Sequence, residues 1–299
     1  MLSKNKTLNI IPRYNIYIDF ILCFIYNLVT EVFNLNKLKK VVSFANLKGG
    51  TGKTAVMYNL AGLMAERGSK ILLIDLDAQG NTTANAGVDK SRLEATSANM
   101  FKNQTILGLL IIKEVRPNID LVPSTVKITA TEMQIAGETA RERILSNYFD
   151  DNIDTLEEYD YVFIDTNPSM SVVNQNAYLA SDCVFIVSNA SSSGYEGAEL
   201  FIDLWSDICK RMRIPSNINA FIVNGVEANT NVAKDFFAGI NNEHSVVKDI
   251  VVKSYIPKNV AINEANEGQC LPINIYDKKA KSFEAYNNLL DELISREVL

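Results

Sequence analysis

The sequence predicts an α/β fold: a mostly parallel twisted sheet covered by helices on both faces, forming one domain over residues 40–299. Three observations lead there. Short β-branched runs recur from residue 40 onward, they are apolar almost throughout instead of alternating, and the stretches between them carry helical periodicity. Strands buried on both faces lose polar alternation, and parallel strands need crossover helices. No internal repeat, low-complexity tract or linker divides the chain, and 299 residues with 47% hydrophobic content can bury a sizeable core.

Residues 1–39 read as an N-terminal extension. Their uncharged run FILCFIYNLVT, residues 20–30 between Asp19 and Glu31, is about half of what a bilayer span requires. No A-x-A-like cleavage site follows it. The segment is rich in residues that AT-rich codons specify, so it reads either as a start site placed too far upstream or as an interfacial amphipathic helix. The first strand is expected over 41–45. A crossover helix over 54–67 places Met57, Leu60, Ala61 and Met64 at helical spacing and stops at Gly68, a residue suited to the position after a helix. Strands follow over 71–74, 119–122, 161–164, 183–187, 220–223 and 251–256. Helices are expected over 125–148 and 277–295, the latter with Phe283, Tyr286, Leu289, Leu290 and Leu293 on one stripe.

Four scattered cysteines, Cys23, Cys183, Cys209 and Cys270, form no C-x-x-C pair, and the one histidine, His244, is remote from them in sequence. This argues against zinc and a disulfide framework and for a reducing, cytoplasmic compartment. The net charge is −6, yet residues 1–40 hold six basic against two acidic side chains. The remainder therefore carries −10, so any contact with nucleic acid must come from a local patch and not a global field.

Between the first strand and the first helix stands SFANLKGGTGKTAVM, residues 43–57. Gly49, Gly50 and Gly52 let the backbone turn its N–H groups inward as an anion nest around Thr51, and the following helix N-terminus adds its partial positive charge. Such a loop makes this a P-loop domain: Lys53 would reach the β- and γ-phosphates and Thr54 would hold Mg²⁺. Leu47 stands where the first glycine of G-x-x-x-x-G-K-[ST] belongs, and an extra lysine, Lys48, begins the glycine run. LLIDLDAQGNTT, residues 72–83, puts Asp75 and Asp77 at the carboxyl end of the second strand, where ligands of open α/β sheets sit. YDYVFIDTNPSM, residues 159–170, is an apolar strand ending in Asp165, a carboxylate able to hold the water shell of Mg²⁺.

The K-G-G-T-G-K-T loop is the deviant Walker A motif, and with it the sequence resembles the ParA/Soj/MinD family of ATPases. NIDLVPSTVKITATEMQ, SSSGYEGAELFIDLW and the segment from IPKNVAINEA onward resemble ParA/Soj segments in the same order, so the likeness runs from about residue 40 to the C-terminus. It implies an ATP-dependent homodimer that uses ATP and Mg²⁺, in which Lys48 crosses to the nucleotide of the partner subunit. Asp77 aligns with the aspartate that orients or activates the attacking water, and Asp165 with the Walker B carboxylate. The likeness also implies adenine contacts from Asn224, at the end of AFIVNGV, and from the loop containing Pro257. Two departures are visible: Ala78 where proline is usual in D-x-D-P-Q-G-N, and Asn167 where D-x-P-P-S has its first proline.

Within that family, ParA/Soj proteins bind DNA nonspecifically and are stimulated by a ParB-like centromere-binding partner, whereas MinD-like proteins bind membrane through a C-terminal amphipathic helix. The short acidic end LLDELISREVL argues against a membrane anchor, and nucleoid association is the expected location. The arginines that often follow the adenine-reading strand are replaced by EANTNVAK. Cations for DNA would then come from Lys210, Arg211 and Arg213, from Lys253 and Lys258, or from Lys278, Lys279 and Lys281. The expected function is DNA partitioning, with an ATP-switched scaffold or transcriptional regulator for a non-DNA cargo as the alternative. Electron transfer of the nitrogenase iron protein kind is disfavoured, because no cysteine closely follows the Asp165 strand.

Overall fold

The computed structural model describes residues 38–102 and 105–299; residues 1–37, with the uncharged run and Cys23, lie outside them. Seven strands form one sheet in the order β3-β4-β2-β5-β1-β6-β7. They are β1 (Lys40–Ala45), β2 (Ile71–Asp75), β3 (Ile112–Arg116), β4 (Ile119–Val122), β5 (Tyr161–Asp165), β6 (Cys183–Asn189) and β7 (Ile218–Asn224). Every pairing is parallel except that of β3 with β4. Leu38 and Lys39 already belong to this domain, since Lys39 N donates to Asp160 O at 2.8 Å.

Alternate residues of each central strand enter opposite cores. Val162, Ile164, Val184, Ile186, Phe221 and Val223 face one. Tyr161, Phe163, Cys183, Phe185, Ala220 and Ile222 face the other. The period of two thus explains the continuous apolar runs. The second core is closed by α1 (Lys53–Glu66) together with the C-terminal segment, and the first by helices from the middle of the chain.

Helix α1 is buried nearly all round, Tyr58, Leu63 and Ala65 as well as the expected Met57–Leu60–Ala61–Met64 stripe, because residues 270–293 pack over its outer side. Asn59 Oδ1 accepts from Ile273 N at 2.7 Å, tying the two together. After β2 comes a short α2 (Asn81–Asn85). The helix expected over 125–148 is two: α3 (Lys127–Ile135) and α4 (Ile144–Asp151), separated by a left-handed residue, Ala140, at φ 54°. A buried side chain compensates the break. From α5 (Val172–Leu179), Asn176 accepts from Leu145 N at 2.9 Å and donates to Arg141 O at 2.7 Å.

Strand β3 has no counterpart among the expected strands. It is an edge strand carrying Lys113, Glu114 and Arg116, and its register shifts between Ile112 and Arg116 where Glu114 adopts φ 54° and donates its N–H to Asp120 Oδ1 at 2.7 Å. Charge and a bulge protect such an edge, and they also erase its apolar pattern. The long α6 (Ser192–Met212) runs back along the sheet from β6, and α7 (Asn231–Ile240) follows β7.

The strand expected over 251–256 is not a regular strand. The segment runs beside β7 and bonds to it at both ends, through Phe221 N to Ile250 O at 2.8 Å and Ile256 N to Val223 O at 2.9 Å. Its middle N–H groups turn away to a carboxylate: Lys253 N and Ser254 N donate to Glu292 of α8 (Lys281–Ser295) at 2.8 and 2.7 Å. Burial would raise the Glu292 carboxyl, but these donors, with Arg296 beside it, hold it below the ordinary glutamate range. A depressed carboxyl stabilises the fold above its unfolded pKa and loses that contribution as pH falls through its folded value. Glu292→Gln is therefore expected to cost about 1–2 kcal/mol at neutral pH. The difference from the parent protein should vanish in acid, as read by chemical denaturation across pH.

Candidate functional site

The loop between β1 and α1 sits at the carboxyl edge of the sheet, with the ends of β2, β5 and β7 around it. Gly50 and Gly52 take φ values of 75° and 89°, which let consecutive N–H groups face inward. Gly52 is also required by space: a Cβ there would lie 2.1 Å from Asn224 Nδ2. That amide donates to Thr51 O at 3.0 Å, so in this structure Asn224 braces the loop.

A cleft of about 740 Å³ opens above this loop. Gly49, Gly50, Thr51, Gly52, Lys53, Thr54, Asp77, Asn224 and Pro257 all wall it. Lys48 stands on the loop but is exposed to solvent and is not part of that wall, while Asp165 lies wholly buried beneath. The volume is within the range that holds a nucleotide-sized ligand.

Lys53 retains 7% of its exposure, and its ammonium donates to Asn46 O at 3.4 Å. Desolvation lowers its pKa, opposed by the negative charges of Asp165 and Asp77. A partly dehydrated cation amid inward N–H groups suits a polyanion. Thr54 Oγ1 donates to Asp165 Oδ2 at 2.7 Å, and so does Thr82 Oγ1 of α2, also at 2.7 Å. Asp165 Oδ1 has no partner among the described residues. A hydroxyl beside a buried carboxylate with one oxygen free is a hard-oxygen set that fits Mg²⁺ and its water shell.

Asp75 and Asp165 are register neighbours on β2 and β5, and both are fully buried. Burial pushes both carboxyls up; for Asp75 the charge on Asp165 adds to this, while hydrogen bonds from Thr83 pull back. Asp75 shapes the loop that carries Asp77: it accepts from Asp77 N at 3.0 Å and from Thr83 Oγ1 at 2.7 Å. Asp77 is thereby left half-exposed on the cleft wall, with Oδ1 accepting from Gln79 N at 2.9 Å. The proline-to-asparagine departure has a local role, since Asn167 Oδ1 accepts from Asn174 Nδ2 at 3.0 Å and from Ser169 Oγ at 2.5 Å.

Two residues escaped sequence reasoning. Asn46 accepts from Lys48 N at 2.8 Å and donates to Val187 O and Gly194 O at 3.0 and 3.3 Å, so it anchors the start of the loop to β6 and α6. Thr82 is the second donor to Asp165. The carbonyls that Asn46 binds and the carboxylate that Thr82 serves lie far along the chain, so one sequence carries no signal for either role.

Of the eight cations considered for DNA, three are held in ion pairs. Lys210, Arg211 and Arg213 lie at the C-terminal end of α6, and Lys210 pairs with Asp207 at 3.5 Å. Lys258 pairs with Glu227 at 2.5 Å, which raises its pKa, and Lys278 pairs with Glu66. Lys253 and Lys281 line one groove of about 300 Å³. Among the described residues no helix is long and apolar enough to cross a membrane.

A family model described as an AAA domain matches residues 39–220. The sporulation initiation inhibitor protein Soj of Bacillus subtilis (strain 168) is 28% identical over 255 residues, covering 85% of this chain and 98% of its own. The chromosome partitioning protein ParA of Caulobacter vibrioides (strain NA1000 / CB15N) is 29% identical over 263 residues, covering 86% and 95%. An AMPPNP-bound Borrelia burgdorferi B31 protein assigned to plasmid partition superposes with a TM-score of 0.71 at 24% identity, covering 86% of this chain and 99% of that one, a likeness of fold.

Proposed function

This chain belongs to the ParA/MinD-type partitioning ATPases, and from that premise we propose that it is an ATP-switched homodimer that hydrolyses ATP to ADP and phosphate while partitioning DNA. The observation that supports this reading most is the dehydrated Lys53 ammonium at the floor of a glycine-walled cleft.

In this reading Gly49, Gly50, Thr51 and Gly52 cradle the phosphates through backbone N–H groups, and Lys53 neutralises the β- and γ-phosphate oxygens. Thr54 would hold Mg²⁺ directly and Asp165 through water. The ion, when bound, would supply positive charge that offsets the negative charge of the β- and γ-phosphates. Asp77 orients the water whose oxygen bonds to the γ-phosphorus as the bond to the ADP oxygen breaks, and accepts its proton. Asn46 holds the start of the loop so that Lys48 projects outward, toward the triphosphate of a second copy. An amine arriving from the partner subunit adds positive charge as the γ-phosphoryl group becomes more anionic, which makes hydrolysis depend on dimerisation. Asn224 and Pro257 flank the base end.

The partners would be nonspecific double-stranded DNA and a ParB-like centromere-binding protein, with the protein cytoplasmic and nucleoid-associated. The ion pairs on Lys210, Lys258 and Lys278 favour weak, salt-sensitive DNA binding. The same pairing favours, as a second reading, an ATP-switched scaffold or regulator for a non-DNA cargo. Light scattering should find a dimer in Mg-ATP and a monomer in ADP, and low-salt filter binding should retain DNA with ATP alone. Equal, negligible DNA retention in both nucleotides would reject partitioning in favour of the scaffold; a monomer throughout would reject the switch.

A further inference from the structure

We infer that Asn266 reads the base of the bound nucleotide and sets the preference for adenine over guanine, an inference that rests on the ATP-binding reading of the cleft. Asn266 keeps 2% of its exposure, and neither Nδ2 nor Oδ1 has a hydrogen-bond partner among the described residues. Asn59 and Asn176, buried to a similar degree elsewhere in the fold, are engaged. Asn59 donates to Ala55 O at 2.8 Å and accepts from Ile273 N at 2.7 Å, and Asn176 donates to Arg141 O and Val172 O. A buried primary amide with both ends unpaired is rare in a native fold and calls for a missing partner.

The residue walls the same cleft as the glycine loop, next to Ile262 and Asn263 and opposite Ala84 and Asn85 of α2. It lies in a π-helical turn, Glu264–Gly268, closed by Gln269 N donating to Glu264 O at 2.9 Å. Single π turns concentrate at functional sites, since the extra residue gives the helix a register to which it can shift. Because the amide is withdrawn from solvent, engagement of a base requires this turn to move.

The chemistry selects the base. An asparagine amide presents one donor and one acceptor side by side, which matches the amino group and adjacent ring nitrogen of adenine. At the same two positions guanine presents the reverse, O6 as acceptor and N1–H as donor, so an amide held in one orientation pairs with adenine and opposes guanine at both atoms. Asn224, the residue expected from sequence to recognise adenine, has its Nδ2 committed to Thr51 O, whereas Asn266 is an amide on this wall whose Nδ2 and Oδ1 are both buried and both without a partner among the described residues.

The test titrates the full chain and its Asn266→Ala and Asn266→Asp forms with fluorescent ATP and GTP analogues. Hydrogen exchange of residues 264–269 is measured in parallel. The parent protein should prefer ATP and slow its exchange there on binding. Asn266→Ala should narrow the ATP-to-GTP ratio about tenfold, and Asn266→Asp, whose carboxylate accepts from both guanine donors, should shift it further toward GTP. An unchanged ratio in variants that melt like the parent without nucleotide would overturn the inference and leave the ATPase reading standing. Unchanged exchange over 264–269 in ATP-bound parent protein would overturn it too, even if the variants fail to fold. A parent protein that binds neither nucleotide overturns both.

Discussion

Lys53→Ala is expected to weaken ATP binding by about a hundredfold or more and to abolish measurable turnover. The ammonium is almost wholly out of water, so a phosphate meeting it meets a charge already stripped of most competing solvent. Removing one partner of such a desolvated charge pair costs about 2–5 kcal/mol. The nucleotide-free protein should not suffer. Desolvation works against the charged form, so losing it should leave the melting temperature of the free chain unchanged or higher. Isothermal titration with Mg-ATP beside a nucleotide-free melt separates the two effects. Near-parental ATP affinity would remove the central observation behind the ATPase assignment.

The second large effect is expected at Asp77. Asp77→Ala should slow hydrolysis by about a hundredfold to ten-thousandfold while leaving ATP bound and the dimer accumulated. Its backbone remains anchored, since Asp77 N donates to Asp75 Oδ1 and Asp75 is held in turn by Thr83. The substitution therefore removes the carboxylate and the bond it accepts from Gln79 N, while the anchor of the loop on Asp75 stays in place. Single-turnover hydrolysis and light scattering in saturating Mg-ATP give the two readouts. A variant that hydrolyses at the parental rate would take Asp77 out of the chemistry, and one that stays monomeric would break the link between ATP and assembly.

The strands that were legible were those for which burial on both faces leaves no alternative to apolar residues: β1, β2, β4, β5, β6 and β7. The glycine loop was legible because its backbone conformation restricts residue type wherever it occurs, as Gly52 illustrates at φ 89°. What escaped was decided by partners far along the chain. The edge strand β3 carries charges for protection and lost its periodicity. The 125–148 helix breaks because Asn176 satisfies the interrupted backbone, and the 251–256 strand is irregular because Glu292 takes its central N–H groups.

From residue order alone come the parallel sheet and the glycine loop between β1 and α1, since burial and backbone geometry constrain residues locally; the roles of Lys48 and Asp77 come from the resemblance to the family and not from local geometry. Tertiary structure alone decided which amides are engaged and which are free: Asn46 bound to the loop, Asn224 turned onto Thr51, Asn266 buried without a partner. An asparagine's pairing depends on what the rest of the chain brings within about 3 Å of it, and a linear pattern contains no record of that distance.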